Sequence, residues 1–232
     1  MLTAETLRDI VDREILPRVE KPSRYLGGEL NAARKEPAET DLRIALAFPD
    51  LYDLGLPNLG ILILYEVLNR QPGIAAERVY APGIDLEAIL RERGLPLFSL
   101  ESRTPLAHFD AIGFTLQYEL SYTNILNMLD LAGVPLLSAD REERHPIIIA
   151  GGPCAFNPEP LADVIDAFAI GDGEEVILEI AAALRDPAVG RGLRPAPDGL
   201  RPAPDGLRPA PDGLRPAPDG LRPAPDGLRP AP

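Results

Sequence analysis

The chain has 232 residues, 23 Lys and Arg against 36 Asp and Glu for a formal net charge of -13, 45% hydrophobic side chains and 5% aromatic ones. An acidic chain without tryptophan lacks both the basic stripe and the stacking platforms of a direct nucleic-acid binder. A single cysteine, Cys154, excludes an intrachain disulfide and an iron-sulfur cluster held by this chain alone, and two distant histidines, His108 and His145, do not suggest a zinc site.

The opening MLTAETLRDIVDREI is charged throughout and is no signal peptide, and no apolar run reaches the roughly 18 residues of a membrane helix. A cytoplasmic protein without membrane contact is the expectation. Residues 3–20 space Leu7, Ile10, Val11, Ile15 and Leu16 as an amphipathic helix that Pro17 should end. The polar link that follows carries Tyr25, Gly27, Gly28 and Glu29, and reads either as a surface crossing or as a segment laid over the mouth of a sheet. Together these form an N-terminal helix and linker, residues 1–40.

Residues 41–191 alternate strands and helices, the pattern of an open, doubly wound, mostly parallel sheet. The predicted strands are 42–48, 76–80, 96–100, 110–115, 147–150 and 164–170. The predicted helices are 59–69, 85–92, a segment packing Leu120, Ile125, Met128 and Leu129 or Leu131 up to Gly133, and 174–184. The expected strand order is 2-1-3-4-5, with the sixth strand at an edge or bent over the top. From Gly192 to Pro232 the unit GLRPAPD repeats five times and is then cut off as GLRPAP; this stretch holds 12 of the 27 prolines and cannot build a core. It reads as a disordered low-complexity tail, with 17 Lys and Arg against 31 Asp and Glu left in residues 1–191.

Ligands of such sheets sit at the carboxyl ends of the strands. Gly151-Gly152-Pro153 ends one strand and Gly171-Asp172-Gly173-Glu174 ends the next and opens a helix, so backbone can approach a ligand closely and amide donors are free. The pattern is neither GxGxxG nor a P-loop. Asp50, Asp53, Asp172, Glu174 and Glu175 would share that rim; they suit helix caps and a hydrated edge, or a carboxylate pair moving a proton or holding a divalent metal. His108 and His145 precede strands and fall at the opposite end. Cys154 has no histidine or lysine near it in sequence to activate its thiol.

Several strings go beyond generic pattern: Lys21-Pro22-Ser23-Arg24-Tyr25-Leu26-Gly27-Gly28-Glu29, Phe48-Pro49-Asp50-Leu51-Tyr52-Asp53-Leu54-Gly55, Leu97-Phe98-Ser99-Leu100-Glu101-Ser102, and Leu116-Gln117-Tyr118-Glu119-Leu120-Ser121-Tyr122-Thr123-Asn124. With the opening stretch, and over about residues 15 to 185, they resemble the N-terminal portion of bacterial radical S-adenosylmethionine (SAM) proteins with a cobalamin-binding-like domain. The resemblance implies a flavodoxin-like fold and a downstream barrel, a partner in cis, that carries CxxxCxxC for a 4Fe-4S iron-sulfur cluster and SAM. This chain contains no CxxxCxxC, so it is expected to be a truncated, catalytically silent domain. Asp53-Leu54-Gly55 contains no histidine, so the DxHxxG signature of histidine-ligated cobalamin is missing and any cobalamin would lack a histidine lower ligand.

The contacts implied by the resemblance are Asp50, Leu51, Tyr52 and Asp53 in the first loop, Ser99, then Gln117 and Tyr118, then Gly151, Gly152 and Pro153, and finally Gly171, Asp172, Gly173 and Glu174. Two other readings stand beside it. One is a structural or protein-interaction platform without a cofactor, which would fill the strand-end cleft with Leu51, Leu54 and Tyr118. The other is a small hydrolase or transferase, which would bring Asp50 and Asp172 together. The undrifted repeat suggests a truncated or frameshifted reading of the gene, with a proline-rich docking arm as the alternative.

Overall fold

Strands buried on both faces must be apolar on both, and the core strands obey this apart from Arg43, Glu77 and Arg78, which are paired. In the structure, a computed structural model that describes residues 4–186 and 207–208, the strands form one mostly parallel sheet. Its strands are β1 (Leu42–Phe48), β2 (Ile74–Tyr80), β3 (Ala111–Thr115), β4 (Ile147–Gly151) and β5 (Ala167–Ala169), with β6 (Leu207–Arg208) antiparallel at the β5 edge. The order β2-β1-β3-β4-β5-β6 is consistent with a flavodoxin-like fold. Apart from Leu207 and Arg208, the repeat tail expected at 192–232 lies outside the described residues.

Alternation along the strands sorts the two faces. Ala45, Ala47, Ile112, Phe114, Ile148, Ala150 and Phe168 belong to one core cluster, which also takes in α4 (Ile84–Arg93) and α5 (Tyr122–Ala132). The N-terminal α1 (Ala4–Ile10) joins it through Leu7, and its continuation through a π-helical turn, Val11–Ile15, adds Val11 and Ile15. Leu42, Ile44, Leu46, Ile147, Ile149 and Ala167 face the other way, toward α3 (Leu59–Asn69) and α6 (Gly173–Arg185). The Asn58 side chain accepts from the Ile61 amide at 3.0 Å and fixes where α3 begins, at the mouth of the sheet.

Three expectations are corrected. Leu120 lies in a 3-10 turn, Glu119–Ser121, and is exposed rather than packed under α5. The helix expected over 3–20 breaks into α, π and 3-10 segments, with Pro17 in the last of them. The apolar run 96–100 is no strand of the sheet, so β3 is the segment that was expected to be fourth. Instead Phe98 bridges Pro105, the Ser99 amide donates to the Thr104 carbonyl at 2.9 Å, and Arg103 closes the turn at φ 62. This folded-back turn covers the side of β2, where the Leu100 amide donates to the Arg78 carbonyl at 2.8 Å.

The turn is recruited by a charge. β2 is an edge strand yet every one of its residues is buried, and Arg78, 4% exposed, must be paired there. Its Nε donates to Glu101 Oε1 and its Nη2 to Glu29 Oε2, each at 2.7 Å, while its backbone amide donates to Glu101 Oε2 at 2.7 Å. Glu101 comes from the turn and Glu29 from the N-terminal link, so both are drawn onto the edge. Removing the guanidinium should strand a buried carboxylate. Arg78→Met is expected to lower unfolding free energy by about 3–5 kcal/mol in urea titration, and adding Glu101→Gln should restore part of that loss. An unchanged midpoint in the single variant would contradict this account.

Candidate functional site

A cleft of about 200 Å³ opens on the α3 and α6 side of the sheet, at the carboxyl ends of the strands. Its floor is Leu46, Gly113, Thr115, Ile149, Gly151 and Ala169, and its walls are the first turns of α3, with Gly60, Ile61 and Leu64, and of α6, with Val176 and Ile177. The cleft exists because side chains are missing. Neighbouring positions on this face carry Leu and Ile, whereas Gly113 and Gly151 carry none; a Cβ at Gly113 would meet nothing closer than Leu46, at 3.8 Å. At Gly173 a Cβ would lie 3.2 Å from Leu64, so glycine there lets α6 approach α3 and close the far wall.

Of the residues expected at the site, Gln117, Gly151, Gly152, Gly171, Gly173 and Glu174 line the cleft. Gln117 Nε2 donates to Thr115 Oγ1 at 2.6 Å. Gly152 has φ 109, and a Cβ would come within 3.0 Å of the Leu116 carbonyl, so only glycine fits where the chain turns off β4. Asp172 flanks the α6 start with its side chain exposed and making no cap, and Pro153 is exposed beyond Gly152. Gly60 and Gly113 escaped the sequence reading. Glycine inside the strand pattern DAIGFT was the available signal, because such a residue marks close approach by a ligand or another backbone.

The other expected residues have different surroundings. The Tyr118 hydroxyl donates to Asp50, tying the ends of β1 and β3 together, and that hydrogen bond raises the phenol pKa. Asp50 also accepts from the Leu51 amide at 2.7 Å, and Leu51 is half-buried nearby. Neither Leu51, Leu54 nor Tyr118 fills the cleft, and the last two are exposed. The ends of β1 and β5 stand three strand spacings apart, about 14 Å, and the Asp50 carboxylate is turned to Tyr118, so the geometry does not pair Asp50 with Asp172. Ser99 is fully buried in the folded-back turn, accepting from the Thr104 amide at 3.0 Å, away from the cleft.

Tyr52 and Asp53 lie on α2 (Tyr52–Gly55), a short helix inside the loop after β1, and both are engaged by the N-terminal link. Lys21 and Arg24 pair with Asp53, and hydrogen bonds first from Lys21 and then from Arg24 hold its carboxyl below the ordinary value. The Tyr52 hydroxyl donates to Glu29 Oε1 at 2.8 Å; burial and that carboxylate push the phenol up to about 12. The link therefore wraps the β2 edge and grips the first loop rather than covering the cleft.

Charge completes the site. No lysine or arginine occurs between Phe48 and Arg70, Tyr80 and Arg91, Thr115 and Arg141, or Gly151 and Arg185, the four stretches that leave the carboxyl ends of β1, β2, β3 and the β4–β5 pair. Among the described residues no three His, Cys, Asp or Glu side chains are disposed to hold a metal ion, and no helix is long and apolar enough to cross a membrane. His108 and His145 precede β3 and β4, at the far end of the sheet.

Residues 60–193 match the family described as radical SAM proteins, N-terminal. Every residue lining the cleft except Leu46 falls inside that match. An uncharacterized protein of Methanocaldococcus jannaschii is 26% identical over 142 residues, which cover 59% of this chain and 26% of the relative. The shared segment thus spans about a quarter of that longer protein.

The grip of the link on the first loop has a pH signature. Burial opposes ionisation of Glu29, but its own backbone amide, Tyr52 and Arg78 outweigh burial and hold the carboxyl below its ordinary 4.5. A depressed carboxylate stabilises the fold fully above the unfolded value and loses that contribution as pH falls through the folded one. Glu29→Gln should cost about 1–2 kcal/mol at neutral pH, and the gap from the parent chain should shrink steadily below about pH 4.5 in urea titrations. A gap independent of pH would overturn the assignment.

Proposed function

We propose a cofactor-binding role for this chain, which belongs to the radical SAM proteins as an N-terminal domain: its cleft takes one ring-sized group of a corrinoid, and the rest of that cofactor lies across the strand ends. The observation that carries this reading is the glycine floor. An apolar slot in the middle of a sheet, opened by Gly113 and Gly151 and bordered by the uncapped start of α6, is a receptor for a flat apolar group with a polar rim.

Size favours insertion of part of the ligand. Pockets that swallow drug-sized molecules run to about 300–1,000 Å³, and about 200 Å³ suits a bicyclic aromatic ring such as the base of the cobalamin nucleotide tail, not a corrin. The backbone at Gly151, Gly152, Gly171 and Gly173 would accept close approach by that tail. Asp50, Gln117 and Tyr118 would face the larger ring system above. No histidine lies at this end of the sheet, and Tyr52, in the first loop, already bonds Glu29, so the cobalt would carry no histidine lower ligand.

A bound corrinoid supplies a cobalt centre that can carry an alkyl group. The residues of this chain would bind and orient it. The 4Fe-4S cluster and SAM would belong to a catalytic barrel in cis, as in the longer proteins this domain resembles, and a radical-initiated alkyl transfer is the reaction class this implies. Leu54, Leu120 and Phe156, exposed on the loops above the strands, suit a second domain closing over the ligand. An interaction platform is the second reading: those same exposed side chains favour it, whereas the cleft left open by Leu51, Leu54 and Tyr118 counts against it.

Titration of the full chain with hydroxocobalamin, followed by its visible spectrum with and without reductant, is expected to saturate with a Kd below about 100 µM. Gly113→Val should weaken binding by about tenfold or more while leaving the urea midpoint unchanged or higher, since valine suits a strand, its Cβ would lie no closer than 3.8 Å to any neighbour, and the cleft lies beyond. No saturation, or unchanged affinity in a folded Gly113→Val variant, would overturn the reading.

A further inference from the structure

The cleft changes character between floor and mouth, and the sheet register shows where. Leu46, Gly113 and Ile149 stand opposite one another on β1, β3 and β4 and form one row of the floor. Thr115, Gly151 and Ala169 form the next row on that face, nearer the carboxyl ends. The inner row is aliphatic or bare, and the buried lining from α3 and α6, Ile61 and Ile180, is aliphatic too. Of the lining side chains only Thr115, Gln117 and Glu174 are polar. Thr115 belongs to the outer row, Gln117 lies beyond it and donates to its hydroxyl at 2.6 Å, and Glu174 is exposed in the first turn of α6.

The backbone adds nothing polar to the inner row. β3 is paired on both sides, by β1 and β4, and β4 by β3 and β5, so the amides and carbonyls of Gly113 and Ile149 are committed to the ladder. A ring pushed past Thr115 therefore meets no hydrogen-bond partner.

We propose that the inner row selects the base of the inserted tail: it takes an alkylated benzimidazole and turns away a purine. The inference rests on the corrinoid reading for its choice of ligand and narrows that reading, because corrinoids with one ring system and one charge can differ in this base alone. In either base the sugar is attached to the five-membered ring, so the six-membered ring lies deepest. In dimethylbenzimidazole that part carries two methyl groups, which suit Leu46, Ile149 and Ile180. In adenine it carries an amine and two ring nitrogens, which would leave water and find no replacement partners. An apolar pocket rejects such a ring by about ten- to a hundredfold, less than a hydrogen-bonding site rejects a ligand that lacks its polar groups.

The test dialyses the full chain to equilibrium against dicyanocobalamin and against its adeninyl counterpart. Cyanide on both faces of the cobalt frees the base in each, so release of the base from the metal does not enter the comparison. Dicyanocobalamin should bind about tenfold or more tightly. Ile149→Thr places a hydroxyl in the inner row and should narrow the gap to about threefold or less, with its urea midpoint reporting that it folds. Equal affinities in the parent chain, or an unchanged gap in the folded variant, would overturn the base selection while leaving the cleft as a corrinoid site. A second arm uses the free nucleosides, α-ribazole and its adenine counterpart. Saturable binding of α-ribazole alone, with neither corrinoid bound, would support the preference of the inner row and remove the corrinoid reading. Failure of all four compounds to bind would overturn both.

Discussion

Arg78 cannot sit where it does without help. A guanidinium in an edge strand, nine-tenths removed from water, needs opposite charge and hydrogen-bond acceptors, and the one carboxylate of its own strand, Glu77, is taken by Arg43 and Ser102. The acceptors come from two segments distant in sequence, Glu29 before the sheet begins and Glu101 after β2 has ended. Each brings its own stretch of chain. With Glu101 comes the turn around Arg103, whose guanidinium donates to the Leu100 and Leu26 carbonyls. With Glu29 comes the link whose Gly27 sits so close that a Cβ would lie 2.4 Å from the Leu100 carbonyl. An edge that would otherwise offer unpaired backbone to another chain is thereby closed.

The same pairing reaches the ligand end of the sheet. Glu29 accepts from Tyr52, and Tyr52 packs edge-on against Tyr80 with ring centroids 5.2 Å apart, so the loop after β1 is anchored on the side away from the cleft. That loop then contributes Asp50 to the bond with Tyr118. The open side of the site is left to α3 and α6, whose glycines permit close approach. One half of the molecule is thus held by buried charge, and the other is shaped by small side chains.

Much of this was legible in the chain. Runs such as LRIALAF and PIIIAGG announce doubly buried parallel strands, and glycine pairs at their ends place a ligand edge. The run PLFSL misled because a short apolar segment of strand length carries no sign of whether it joins a sheet or folds back on itself. What decided its fate was Glu101, a residue after the run whose partner lies 23 positions earlier, and no local pattern reveals such a pairing. Tyr52 and Asp53 had the composition of a ligand loop, but their partners come from the link, a long-range contact again. The cleft itself was half visible: Gly151 and Gly171 flagged themselves by position, whereas Gly113 was passed over as one more residue in an apolar strand.

Gly113 has a meaning outside this one chain. Glycine in a strand interior forgoes packing and backbone rigidity, a disadvantage of about 0.5–1 kcal/mol against alanine, and here a Cβ would make only ordinary contacts. Drift under selection for stability alone would therefore refill the position with valine or isoleucine. Under the proposed role, the residue at this point of β3 would mark, in any set of related domains, those that keep the slot open and those that have filled it, readable without a structure of either.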